Sequence, residues 1–329
     1  MRKRILEVLI NSKDKFISGE ELSKSIGVSR TAVWKHIKKL KEEGYKIESV
    51  PKRGYMLIKE GDKLDSKLLS IDMKNKVIGK EIIHFDSIDS TSNHAKAIAL
   101  EGAEEGTVVI AEEQTKGRGR LGRSWVSPKG QGIWMSIILR PDIIPTHAMK
   151  ITQIVAAAIT EALRKFTKDD VLIKWPNDIV LHKKKVCGIL TEMSAEIDKV
   201  NFVIVGIGVN ANMDETLLPE DVADKAVSLA KYMDDDISRK EIVKEILYEF
   251  EKLYMDFIES RSIEKSIDIC RQYSATLNNT VRIISRDSEV KARAIDLSEE
   301  GELVVEYEDG RVEKVFSGEV SVRGLYEYV

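Results

Sequence analysis

Cysteine is almost absent. Cys187 and Cys270 are the only two, too few for a disulfide framework or a four-ligand zinc site. The five histidines show no metal-ligand spacing, and His94, His147 and His182 read as incidental surface or helix residues. Only six prolines occur, with 43% hydrophobic and 33% charged residues, a composition that excludes long disordered tails. No apolar run reaches the roughly 18 residues that cross a bilayer; the nearest, Ile151 to Leu163, is broken by Thr152, Gln153, Thr160 and Glu161. The basic start Met1-Arg2-Lys3-Arg4 meets Glu7 and Asn11 before any signal-type apolar region forms. These absences predict a cytoplasmic protein with no membrane partner. At about 150 residues per domain, the length predicts two or three domains.

What is present is uneven. Residues 1–60 hold 15 Lys+Arg against 8 Asp+Glu, a net of +7, so the overall −3 leaves −10 on the remainder. A basic head on an acidic body suits a polyanion partner, although a solvated face of a Lys-rich chain would give the same count. The pattern within the head narrows this. Ile5, Leu6, Leu9 and Ile10 line one side of a first helix. Ser18-Gly19-Glu20-Glu21 opens a second helix through Ile26, Gly27-Val28 turns the chain, and Ser29 caps a third helix that ends at Gly44. In it Val33, Ile37 and Leu40 face inward, while Arg30, Thr31, Lys35, His36, Lys38 and Lys39 occupy other faces. Two strands, Lys46–Val50 and Tyr55–Ile58, flank the tip Pro51-Lys52-Arg53-Gly54. This is a helix-turn-helix with a wing, and a small protein-docking module is the alternative. Ser29, Arg30, Thr31, Lys35, His36, Lys39, Lys52 and Arg53 are the candidate DNA contacts. Trp34 is expected to be partly buried and His36 exposed, neither being needed as a reader.

After a linker at Lys59-Glu60-Gly61-Asp62-Lys63, strands are expected at Ile82–Phe85, Thr107–Ala111, Ile133–Leu139, Val171–Lys174, Val186–Met193 and Phe202–Val209. Helices are expected at Asn93–Leu100, Ala148–Phe166 and Arg239–Glu259, against a mixed sheet. Gly117-Arg118-Gly119-Arg120-Leu121-Gly122-Arg123 contains G-x-G-x-x-G, but no helix opens there, so a dinucleotide site is excluded. Three arginines on glycine hinges describe a cationic flap able to close over a carboxylate or phosphate; a basic linker that binds RNA non-specifically is the alternative. Lys174-Trp175-Pro176-Asn177-Asp178 presents oxygen groups side by side, for magnesium or a ribose, or else forms an Asx-type turn. Lys183-Lys184-Lys185-Val186-Cys187-Gly188 is a basic hairpin entering a buried strand, and the glycines of Gly206-Ile207-Gly208-Val209-Asn210 let a ligand approach a strand closely. From about Tyr273 five short strands, Val281–Ile284, Val290–Ile295, Leu303–Tyr307, Val312–Phe316 and Val320–Leu325, predict a small SH3-like barrel.

Taken together the chain resembles the bifunctional biotin protein ligases, which are also biotin operon repressors. The resemblance is carried by Asp89-Ser90-Thr91-Ser92, Gln114 with the flap, the Lys174–Asp178 stretch, Lys185 before Gly188, Gly206–Asn210, and Gly318-Glu319-Val320-Ser321-Val322-Arg323. It implies a winged helix-turn-helix at 1–60, a catalytic α/β domain at 65–272 and an SH3-like domain at 273–329. It also implies two steps: biotin and ATP give biotinyl-5′-AMP, and a carrier-protein lysine then displaces AMP. By motif position Ser90, Thr91, Ser92, Gln114, Arg118, Gly119, Arg120, Lys185, Gly188 and Gly206 bind biotin, with Arg118, Arg120 and Lys185 catalytic. Arg123, Trp125, Lys174, Asn177, Asp178 and Asn210 serve ATP and the adenylate, and Asp178 is a candidate Mg2+ ligand. Operator DNA, a biotin carboxyl carrier protein and an adenylate-driven homodimer are the implied partners. Ser92 stands where many relatives carry Asn, and Leu121 where some carry another basic residue. A ligand-sensing repressor without ligase activity, a lipoate ligase relative, and an enzyme whose head has lost DNA binding are the competing readings.

Overall fold

Apolar residues three and four apart draw the head's helices together. α1 (Arg2–Asn11), α2 (Gly19–Ile26) and α3 (Arg30–Glu42) enclose Ile5, Leu9, Leu22, Val33, Ile37 and Leu40, closed by Tyr45, Ile47 and Leu57 from the wing. Ser18 caps α2 by accepting the Glu21 N–H at 3.1 Å, Gly27 ends it at φ +76°, and the Ser29 hydroxyl accepts the Ala32 N–H at 3.2 Å to open α3. β1 (Lys46–Val50) and β2 (Gly54–Lys59) form the wing, and Ile17 pairs with Tyr55 to add a rung. Gly54 is required there: at φ +108° a Cβ would lie 2.0 Å from the Ile17 carbonyl oxygen. α4 (Ser66–Leu69) completes this unit. Two expectations fail. Trp34 is 54% exposed, because it lies about 100° around the helix from the buried Val33, whereas His36 is half-buried rather than exposed.

The computed structural model describes residues 1–12, 15–42, 45–59, 62–70, 73–233, 238–285, 289–316 and 320–324. They form two units, Met1–Asp72 and Met73–Val329. Gly44, Glu60-Gly61 of the linker, Gly318-Glu319 of the last motif and Leu325 lie outside the described residues.

The second unit centres on a seven-stranded mixed sheet, built from β3 (Ile82–Phe85), β4 (Val108–Ala111), β5 (Ile133–Leu139), β6 (Val171–Lys174), β7 (Asp178–Leu181), β8 (Lys184–Ala195) and β9 (Val200–Val209). Their order is β3-β4-β5-β9-β8-β7-β6, with β3 and β4 parallel and the other neighbours antiparallel. The helices are α5 (Thr91–Leu100), α6 (Ala148–Leu163), the short α7 (Glu220–Ala223), α8 (Arg239–Ser260) and α9 (Glu264–Gln272). α6 is buried on nearly every face because β8 lies to one side and α8 and α9 to the other, which accounts for its broad apolar run. It ends at Leu163, three residues short of the expected Phe166.

β7, α9 and the one-turn helices α4 and α7 add to the expected elements. β7 is four residues long and immediately follows the turn at Trp175–Asn177, so the turn signal masked it. Five strands close the chain: β10 (Thr280–Ile284), β11 (Glu289–Leu297), β12 (Leu303–Glu306), β13 (Val312–Val315) and β14 (Ser321–Gly324), an antiparallel sheet ordered β13-β12-β11-β10-β14. This sheet is anchored on the central one. The Trp175 indole N–H donates to the Gly301 carbonyl at 3.0 Å, and the buried Lys150 ammonium meets Glu300 at 2.7 Å.

Candidate active site and nucleic-acid face

A cavity of about 940 Å³ opens over β5, β8 and β9. One end is a hydroxyl-amide network. The Gln114 side-chain oxygen accepts the Thr91 N–H at 2.9 Å and the Thr91 hydroxyl at 3.0 Å, while its amide donates to the Ser127 hydroxyl at 2.9 Å. The Thr91 and Ser92 hydroxyls lie 2.8 and 3.0 Å from that of Ser136. Gly206 keeps this end open, since a Cβ there would stand 2.8 Å from the Ser92 hydroxyl oxygen. Such a network suits a small neutral group with both donors and acceptors.

The opposite end is cationic. The flap runs from Gly117 to Ser124 as a small hairpin, with the Gly119 N–H donating to the Arg123 carbonyl at 2.8 Å and Leu121 exposed at its tip. No α-helix opens at its glycines, only a three-residue 3-10 turn at Arg120–Gly122, so the exclusion of a dinucleotide fingerprint stands; β5 follows instead. Arg118 forks onto Glu192, at 2.9 and 3.2 Å, and also donates to the Asn93 side-chain oxygen at 2.9 Å. Arg120 donates to the Asn177 side-chain oxygen at 2.9 Å and to the Val320 carbonyl at 3.4 Å, which ties the flap to the C-terminal sheet. Burial draws the Arg120 pKa below its ordinary value, Asp178 opposing and Arg123 reinforcing the shift.

Lys185 lies 2.5 Å from Asp178 and 5.0 Å from the centroid of the Trp125 ring. Burial, against the pull of Asp178 and helped by Lys185, Arg323 and Arg123, brings the Lys174 pKa down to about 8. Gly188 and Gly208 make room for Trp125, whose ring atoms would stand 2.8 and 2.6 Å from the Cβ of an alanine at either position. Cationic groups around a space that small can neutralise two anions brought into contact.

Of the residues expected at the ligand, Thr91, Ser92, Gln114, Arg118, Gly119, Arg120, Arg123, Trp125, Lys174, Asn177, Asp178, Lys185, Gly188, Gly206 and Asn210 all line this cavity. Ser90 does not. It is the N-cap of α5, its hydroxyl accepting the Asn93 N–H at 3.4 Å, because the chain turns into a helix one residue before the cavity wall. Ser136 and Glu192, which bond to residues of the wall, and Arg282, which lines it, escaped the sequence reading, whereas Arg323 stood in the last quoted motif without an assigned role. Ser136 alone left a signal, as the single polar residue in the apolar β5. Cys187 is fully buried and its thiol pKa is raised by burial, so it is a packing residue rather than a nucleophile.

Among the described residues no three His, Cys, Asp or Glu side chains gather to hold a metal. An ion that keeps several waters and arrives on phosphates needs only one or two protein carboxylates. Asp178, half-buried on the cavity wall beside Asn177, fits that limited role.

On the head, Ser29, Arg30, Thr31, Lys35 and Lys39 are exposed along α3, and Lys52 and Arg53 are exposed at the wing tip, where Arg53 stacks 4.4 Å from the Phe16 ring centroid. A basic helix beside a basic hairpin tip is the geometry of a winged helix-turn-helix.

Fold and cavity together define a protein ligase joined to a helix-turn-helix. Residues 84–210 match the biotin/lipoate A/B protein ligase family, residues 2–56 a helix-turn-helix domain, and residues 276–323 the biotin protein ligase C-terminal domain. The bifunctional ligase/repressor BirA of Bacillus spizizenii is 38% identical over 98% of each chain, and that of Escherichia coli 28% identical over 97% of this chain and 96% of its own. A biotin protein ligase from Aquifex aeolicus, solved with biotin and ATP, superimposes with a TM-score of 0.65 at 30% identity, covering 74% of this chain and 99% of that one. The chain belongs to the family of bifunctional biotin protein ligases and repressors.

Proposed function

We propose that this chain activates biotin with ATP, transfers it to a lysine of a carrier protein, and represses transcription through its head with biotinyl-5′-AMP as corepressor. The observation that carries the enzymatic half is a single cavity with a hydroxyl-amide network at one end and Arg118, Arg120, Arg123, Lys174 and Lys185 at the other. We assign the biotin ring system to the Thr91–Ser92–Gln114 end, its carboxylate to Arg118 and Arg120, and the adenylate to Trp125 and Asn210.

In the first step a biotin carboxylate oxygen attacks the α-phosphorus, and the bond to pyrophosphate breaks. Arg120 and Lys185 face the charge that develops, in a site where such contacts strengthen toward the transition state. Magnesium bound with ATP beside Asp178 would offset phosphate charge. In the second step the carrier's lysine amine attacks the acyl carbon and AMP leaves. Both nucleophiles come from substrates, in agreement with a buried and inert Cys187. A closed flap protects the mixed anhydride from water.

ATP–pyrophosphate exchange with biotin, with lipoate and with no acid tests this assignment. Exchange with biotin alone is expected. Exchange with lipoate would move the substrate to the sister class, and none with either acid in folded protein would leave a ligand-sensing repressor.

We infer further that the adenylate promotes a homodimer on operator DNA, since one basic helix reads only one half-site and linkage makes adenylate and operator stabilise each other. β8 runs beyond the last residue paired with β7, so Leu190–Ala195 has a strand partner on the β9 side only among the described residues. This open edge supports pairing between copies. Sedimentation with and without the adenylate tests it, and unchanged association would reject a ligand-driven dimer. The reaction is assigned to the cytoplasm; among the described residues no helix is long and apolar enough to cross a membrane.

A further inference from the structure

Trp34 has no role in the core of the head. Its side chain is 54% exposed, whereas Trp134 and Trp175 are 0% and 2% exposed. On α3 it lies one turn from Arg30 and one turn from Lys38, beside Thr31 and Lys35, on the side that the buried Val33, Ile37 and Leu40 leave outward. The Lys38 ammonium stands 5.9 Å from the ring centroid. Indole is a weaker helix former than alanine or lysine, and half of this one adds nothing to burial. An aromatic ring set among Arg30, Lys35 and Lys38 is also poorly placed for an apolar protein partner, because docking there would desolvate several cations. The surrounding charge fits a polyanion instead.

We infer that Trp34 is a base-reading residue, its ring edge packing against a thymine methyl in the major groove while the neighbouring cations hold the phosphates. The inference rests on the reading of the head as a DNA-binding domain. It follows from position and chemistry. Trp34 is the fifth residue of α3, in the N-terminal part of the helix that reaches base edges in this class of domain. The thymine C5-methyl is the apolar mark that a major groove displays, and apolar side chains read it. A ring at this position therefore supplies sequence preference, whereas Lys35 and Lys39 supply affinity without it.

The test selects binding sites from a pool of DNA duplexes with randomised centres, using the full-length protein with biotin and ATP, and compares wild type, Trp34→Ala, Trp34→Phe and Lys35→Glu. Wild type is expected to enrich paired half-sites. Trp34→Ala should lose the preference for thymine at one position in each half-site and bind the wild-type consensus about tenfold more weakly, with its salt dependence unchanged. Trp34→Phe should restore part of the preference. Lys35→Glu should weaken binding to all duplexes and lower the salt slope. Circular dichroism and the biotin-dependent exchange rate should be unaltered in Trp34→Ala, which separates a reading defect from misfolding. A Trp34→Ala protein that enriches the same consensus with equal affinity overturns the inference, as does a loss spread evenly over all sequences. Failure of the wild type to enrich any sequence overturns the DNA-binding reading and this inference with it.

Discussion

Gly208 offers a quantitative test of where the adenylate lies. It pairs with Trp134 on one side and Gly188 on the other, so its missing side chain faces Trp125 between two tightly packed neighbours. A Cβ at this position would stand 2.6 Å from Trp125 Nε1, 2.7 Å from Cε2 and 3.0 Å from Cζ2. Carbon contacts are comfortable near 3.5 Å, so Gly208→Ala requires the ring to retreat by about 0.9 Å. Retreat is obstructed: Trp134, fully buried, meets Trp125 edge to face at 6.5 Å between centroids, and Lys185 stands against the same ring. Overpacking of this kind costs about 1–3 kcal/mol. If the ring contacts the adenylate, that cost appears at the site as roughly a 5- to 150-fold fall in kcat/KM for ATP. Gly206→Ala should do the reverse, because its Cβ meets the Ser92 hydroxyl oxygen at 2.8 Å and should raise the biotin KM while leaving that for ATP nearly unchanged. The assay is pyrophosphate exchange, varying ATP at saturating biotin and then biotin at saturating ATP. A folded Gly208→Ala protein whose ATP parameters lie within about twofold of wild type would refute the placement of Trp125 beside the nucleotide.

Three further outcomes are expected. Glu192→Gln frees Arg118 from a partly exposed ion pair of the kind worth about 0.2–1 kcal/mol, so the biotin KM should fall up to about fivefold with kcat unchanged; a raised KM would show that Glu192 serves the ligand instead. Arg120→Ala should slow single-turnover adenylate formation by about 100- to 1000-fold with a smaller effect on biotin affinity, and equal losses in both would assign Arg120 to ground-state binding. Lys174 gives a pH signature: its native pKa of about 8 lies below the ordinary lysine value, so the native state releases its proton first. Between pH 8 and the ordinary lysine pKa its contribution to stability therefore rises with pH, and at lower pH the buried cation opposes folding in full. If Lys174 faces phosphate, the charge it offers is lost over the same window, so ATP KM should increase above about pH 8 in wild type and stay flat in Lys174→Met. An identical profile in both proteins would remove Lys174 from nucleotide binding.

Much of the local structure was legible because its causes are local. β3, β5 and β6 fall on the residues that alternation and apolar runs marked, and α2 begins and ends where Ser18 and Gly27 cap it. The lysine hairpin also conforms, His182 and Lys183 taking the positive φ values that a two-residue turn demands. Short segments were harder. β7 was hidden behind a turn, and Ser90 and Thr91, adjacent in the chain, divide between capping a helix and lining the cavity. Chain order cannot separate two neighbouring hydroxyls; the direction in which the helix leaves the sheet does.

The residues alone supply an inventory: a basic winged head, an arginine flap on glycine hinges, the Lys174–Asp178 turn and a run of short C-terminal strands. Each depends on charge, periodicity or turn chemistry acting over a few residues. Which of these groups meet depends on the packing of distant segments. Arg120 reaches the Val320 carbonyl 200 residues along the chain, Arg118 rests on Glu192 at a separation of 74, and Ser136 of β5 joins Thr91 and Ser92 at the start of α5. Such pairings are set by strand order and register, since a shift of one residue along β8 would turn Glu192 to the opposite face of the sheet. The exposure of Trp34 is decided in the same way, by which face of α3 the other helices of the head cover.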